Sequence, residues 1–168
     1  WEYYTPLVGI EDQGGLTKWG ISQRAYPAED IAKLTRQRAE MFYLMDYWRP
    51  IKGNALPPAL AFVLFDTAVN LGVQSAAKVL QGALHITQDG IVGPDTVARA
   101  KQYYPRHELV ARFLELRLRF YEALAAKYAH HAGSLYGWRM RVLRLAEEAG
   151  TWRALWRDDV RRGPDDRA

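Results

Sequence analysis

The sequence has no cysteine among its 168 residues. Disulfides, a thiolate nucleophile and sulfur-ligated metal centres are therefore excluded. Apolar runs are short, and none approaches the roughly 18 residues of a membrane-crossing helix. No glycine-rich phosphate loop and no serine elbow is present. Histidine is scarce. His85, His107, His130 and His131 are the four in the chain, and none stands at metal-ligand spacing from another histidine or an acid on one helix face. Neither a metal nor an organic cofactor is expected. Residues 1–9 lack the charged and apolar blocks of a signal peptide, so no cleavable leader is expected in this chain. A large charge of one sign is missing too: 23 Lys and Arg against 19 Asp and Glu leave a formal +4. That balance suits an anionic surface. The arginines are spread along the chain rather than gathered in one arm, which argues against nucleic acid as the partner.

Aromatic residues are plentiful, with six Trp and ten Tyr. Core packing accounts for most of them, while an exposed Trp could line a sugar cleft, since binding pockets favour aromatic walls. The length suits one domain with its own core. We assign it to residues 1–160, followed by a charged tail at 161–168 that is expected to be disordered. Residues 1–23 are polar and glycine-rich. Gly14-Gly15 reads as a turn, and residues 16–22 alternate like a short strand, which places a small β-hairpin or an extended lobe there. Helical spacing begins after Thr35, a side chain able to cap a first turn, and ends at Arg49-Pro50. Pro57-Pro58 opens the next helix, with Leu60, Val63, Leu64, Ala68 and Leu71 as its apolar stripe and Gly72 as its stop. Further helices are expected over 74–84, 94–103, 106–130, 135–149 and 151–160. The fold class is α+β, predominantly α-helical.

Hydrolysis of a sugar–sugar bond uses a carboxylic acid to protonate the leaving oxygen and a second group to direct water or attack carbon. Glu2, Glu11, Asp12 and Thr17, beside Trp1, Tyr3, Tyr4 and Trp19, form a suitable set, because apolar surroundings raise a carboxyl pKa. The same acids also fit an ordinary polar surface. Asp66 and Asn70 lie four apart on the helix over 58–71 and share one side. Asp66 sits in an otherwise apolar run and needs partners. A structural network around Asp66 is expected, while Asn70, nearer the helix end, suits a substrate contact equally well.

Several stretches carry a resemblance to a known family. Asp12-Gln13-Gly14-Gly15-Leu16-Thr17-Lys18-Trp19-Gly20-Ile21-Ser22 resembles the D-x-G-G-x-T-x-x-G-I-[ST] signature of family 108 glycoside hydrolases, the phage-type N-acetylmuramidases. Tyr47-Trp48-Arg49-Pro50, Phe65-Asp66-Thr67-Ala68-Val69-Asn70-Leu71-Gly72, Asp89-Gly90-Ile91-Val92-Gly93-Pro94 and Gly137-Trp138-Arg139-Met140-Arg141-Val142 follow in the family's order. The resemblance implies a lysozyme-like fold and cleavage of the β-1,4 bond between N-acetylmuramic acid and N-acetylglucosamine. It implies Glu2 as the general acid, with Tyr3 and Tyr4 where the family's motif has two glycines. By analogy with other phage lysozymes, Asp12 would stabilise positive charge or position water, and Thr17 would orient the water. Glu11 is the alternative carboxylate to Asp12. Tyr4, Trp19, Gln23 and Asn70 are the expected substrate contacts. The partner implied is the glycan strand of peptidoglycan, met by a monomer at the bacterial wall or periplasm after synthesis in a host cytoplasm. Residues 74–104 also resemble a small helical peptidoglycan-binding module. A non-catalytic wall-binding protein is therefore the competing reading.

Overall fold

The computed structural model describes residues 15–151. Glu2, Tyr4, Glu11 and Asp12, the expected helix over 151–160 and the expected tail at 161–168 lie outside that range, Thr151 apart. The chain divides into two compact units, with the boundary between Asp46 and Tyr47.

The first described elements of the first unit are two short antiparallel strands, β1 (Thr17–Lys18) and β2 (Ile21–Ser22), paired Thr17 to Ser22 and Lys18 to Ile21. The run over 16–22 is thus a whole hairpin rather than one strand. The chain reverses at Trp19 and Gly20, which have φ of 55° and 78°. Positive φ at both central residues is what a tight two-residue hairpin turn demands. The Gln23 amide donates to the Leu16 carbonyl at 2.9 Å and extends the pairing. A short 3₁₀ turn at Ile31–Lys33 follows, and the Lys18 ammonium ties β1 to it by donating to the Ala32 carbonyl at 3.0 Å. Helix α1 (Arg36–Phe42) starts where the sequence suggests: the Thr35 hydroxyl accepts from the Arg38 amide at 3.2 Å. Its continuation, Tyr43–Trp48, widens into a π-helix. Ile21, Ile31, Leu34 and Ala39 form a small core, with Tyr26, Phe42 and Tyr43 packed against it.

The second unit is helical. Helix α2 (Pro58–Leu71) has Pro at its start and ends at Gly72, whose φ of 83° suits glycine. Then come α3 (Val73–Ala83), α4 (Pro94–Gln102), α5 (Arg106–Lys127) and α6 (Leu135–Glu148). Helix α5 stops at Lys127, short of residue 130, because Tyr128 turns extended (φ −127°, ψ 107°). A 3₁₀ stretch, Ala129–Ser134, then leads into α6. Helix α5 packs against α2, α3 and α6, burying Leu60, Leu64, Leu80, Leu109, Phe113 and Leu114 almost completely. Burial of one such side chain stabilises by about 1.5–3 kcal/mol relative to exposure. Among the described residues no helix is long and apolar enough to cross a membrane.

Candidate functional site

Of the expected site residues in the first unit, the described ones, Thr17, Trp19 and Gln23, lie on or directly after the hairpin. Thr17 is exposed at the start of β1, and its hydroxyl donates weakly to the Gly15 carbonyl at 3.4 Å. Trp19 occupies the first turn position with 53% of its surface exposed. Left-handed backbone is rare for a bulky residue and marks a constrained place. The Trp19 carbonyl accepts from the Tyr43 hydroxyl at 3.0 Å. A Cβ at Gly20 would collide with that same hydroxyl oxygen, so only glycine fits there. Gln23 is half-buried. Its side-chain amide nitrogen lies 3.3, 3.2 and 2.9 Å from the carbonyls of Tyr26, Pro27 and Glu29. It is a strut that shapes the 23–29 loop.

The same loop is pinned to the helical segment by two further contacts. The Tyr26 hydroxyl donates to the Asp46 carboxylate at 2.8 Å, and the Arg38 guanidinium grips Glu29 through two parallel bonds of 3.2 and 3.0 Å. That carboxylate pushes the Arg38 pKa further up, chiefly through the hydrogen bond and then through its charge.

In the second unit Asp66 is a structural hub. Its carboxylate accepts from Arg117 Nη1 at 2.6 Å, from Arg141 Nη2 at 2.6 Å and from Arg141 Nε at 3.1 Å. The Arg117 side chain is wholly buried. Its remaining donors meet the Thr67 hydroxyl at 3.0 Å and the Tyr121 hydroxyl at 3.2 and 2.9 Å. Thr67 in turn donates to the Val63 carbonyl at 2.7 Å. Tyr121 stacks on Trp138, with centroids 4.7 Å apart. A buried guanidinium persists only when it is partnered, and here each of its three nitrogens has an acceptor. Asn70 is exposed one turn further along α2, with its amide nitrogen folded back onto the Asp66 carbonyl at 2.7 Å.

A second polar knot shapes the loop between α3 and α4. Buried Gln81 donates to the Asp89 carboxylate at 2.6 Å and to the Ile91 carbonyl at 3.0 Å, and accepts from the Gly90 amide at 2.9 Å. The bond from Gln81 and the Ile91 amide hold the Asp89 carboxyl below its ordinary range. At Gly90, φ is 81° and the Gln74 side chain leaves no room for a Cβ. The D-G-x-x-G-P-x-T stretch is thus a rigid turn built around one buried amide. Among the described residues no buried side-chain polar atom lacks a hydrogen-bond partner.

Residues 9–72 match the family model described as Glycosyl hydrolase 108. That stretch of the chain is similar to the family 108 glycoside hydrolases. Residues 75–143 match a second model, described as a predicted peptidoglycan domain. That match runs past residue 104, where the resemblance read from the sequence ended. The solved structure titled "Structure of Brucella abortus SagA" is similar, at 25% identity and a TM-score of 0.70, covering 90% of this chain and 87% of that one. No curated protein matches. The fold is lysozyme-like α+β. With both matches this describes a glycoside hydrolase that acts on peptidoglycan, at the cell wall. The family 108 match takes in Asp12, Thr17, Trp19, Gln23 and Asn70, and begins after Glu2 and Tyr4.

Sequence reasoning passed over Tyr43, Gly20, Arg117 and Gln81. Gly20 stands inside a quoted motif and could have been singled out, while Gln81 lies eight residues before the quoted Asp89 stretch that it holds. Tyr43 and Arg117 gave no signal, because each acts on a partner far away in sequence.

Proposed function

We propose that the protein is an N-acetylmuramidase of endolysin type, hydrolysing the β-1,4 bond between N-acetylmuramic acid and N-acetylglucosamine and so lysing bacteria. In this reading Glu2 is the general acid. Asp12 stabilises the positive charge that develops on the sugar ring or steadies the water, and Thr17 orients that water through its hydroxyl. Trp19 and Tyr4 offer rings for the sugars to stack on, and Gln23 and Asn70 offer their amide oxygens. Residues 75–143 hold the enzyme on the wall.

The observation that carries the reading is the ordered motif set inside the 9–72 match, whose hairpin presents a half-exposed Trp19 on a left-handed turn. Such a turn is an expensive way to place a side chain unless the side chain is used. Outer-membrane-stripped Gram-negative cells, treated with wild type and with Glu2→Gln, provide the test. Wild type should clear the suspension and Glu2→Gln should lose at least about a hundredfold in rate, the usual contribution of a general acid. Equal clearing by both would remove Glu2 from the mechanism. If neither clears the suspension but both bind the wall, the function is binding alone.

A further inference from the structure

We propose that Tyr43 is a positioning residue for Trp19, its hydroxyl fixing the hairpin turn in the one form that presents the indole to a sugar ring. The inference rests on the reading of Trp19 as a sugar contact. It starts from a mismatch between residue and place. Both turn residues have positive φ, 55° at Trp19 and 78° at Gly20. The first position of such a turn ordinarily takes Asn, Asp or Gly. A Trp backbone held there relaxes unless its surroundings over-determine it.

Tyr43 supplies that determination. Its ring is packed on the core of Ile21, Ile31, Leu34 and Ala39, so its hydroxyl is delivered from a fixed base. The hydroxyl donates to the Trp19 carbonyl at 3.0 Å. It occupies the space that a Cβ of residue 20 would need, so the tyrosine hydroxyl fits there only beside a glycine. Tyr43 is also the first residue of the π-helical stretch. An i→i+5 turn changes the helical phase, and such turns recur at functional sites. The bond reaches the Trp19 backbone carbonyl, so Tyr43 acts on Trp19 through backbone geometry.

The test is a titration of the full chain, labelled with 5-fluorotryptophan, with soluble uncrosslinked glycan strands, followed by fluorine NMR. The Trp19 signal is assigned by its loss in Trp19→Phe. Binding is read without turnover, and KM and kcat are measured alongside. Trp19→Ala should weaken binding about tenfold, and Tyr43→Phe about fivefold, the loss expected for one neutral hydrogen bond. Tyr43→Phe should move the Trp19 fluorine signal, raise KM and leave kcat nearly unchanged. In the Trp19→Ala background it should cost nothing more. Unchanged binding in Trp19→Ala overturns the reading of Trp19 and the proposal with it. Weaker binding in Trp19→Ala, with an unmoved signal and normal binding in Tyr43→Phe, overturns the proposal alone. An equal further loss in the double variant does so too. If Tyr43→Phe does not fold, Tyr43→Met keeps an adaptable apolar side chain without the hydroxyl, and normal binding with an unmoved Trp19 signal in that variant overturns the proposal.

Discussion

Asp66 stands between two guanidinium groups, and the buried one, Arg117, has no water to turn to. Removing the carboxylate would leave that charge unpaired in the core. Loss of one partner from a buried pair costs about 3–5 kcal/mol. Asp66→Ala should therefore lower the melting temperature steeply, while activity per folded molecule changes little. Melting curves beside kinetics check this, and an unchanged melt with lost activity would make Asp66 catalytic instead. The sequence makes half of this visible. A lone acid on an apolar helix face announces a need for partners, and structural use of Asp66 follows from that need. Which cations answer is not legible, since Arg117 and Arg141 lie 51 and 75 residues away. Their meeting depends on how α5 and α6 pack on α2. Trp19 carries the opposite lesson. No residue rule places a tryptophan in a left-handed turn, so the alternation over 16–22 reads as one strand until the turn is seen.

Element boundaries follow local chemistry closely. Thr35, Pro58, Gly72, Pro94 and Pro105 each start or stop a helix for reasons inside their own side chains or backbones. Thr35→Ala should destabilise the first unit by about 1 kcal/mol through loss of the cap on α1, seen as earlier loss of amide protection in α1 during hydrogen exchange. The π-helix at Tyr43–Trp48 has no such local signal, and neither has the early end of α5. The α3–α4 loop adds a pH dependence. The folded state holds Asp89 below its ordinary pKa of 3.8, so it favours the carboxylate. The resulting stability is complete above the unfolded pKa and fades as pH falls through the lower, folded value. Asp89→Asn should remove this component of the acid-side fall in melting temperature. An acid limb identical to that of wild type would show that Asp89 contributes none of it.

At the scale of the molecule, residues 9–72 carry the glycoside hydrolase resemblance and residues 75–143 the peptidoglycan one. The motif order along the chain made both legible. The pairing of the expected catalytic groups is not legible in the same way, because Glu2 rests on the family resemblance and Asp12 on an analogy of order, not on local physics. The formal charge of +4 suits an anionic wall, and binding to isolated sacculi should weaken as salt rises, since screening shortens the reach of such attraction. Salt-independent binding would assign the affinity to stacking and hydrogen bonds.

Mass analysis of the fragments released from purified peptidoglycan tests the proposed cut between N-acetylmuramic acid and N-acetylglucosamine. Wild type should leave reducing N-acetylmuramic acid ends, convertible by borohydride to the alcohol, and Glu2→Gln should release almost none. Fragments with reducing N-acetylglucosamine ends, free stem peptides on intact glycan, or equal yields from both proteins would contradict the account.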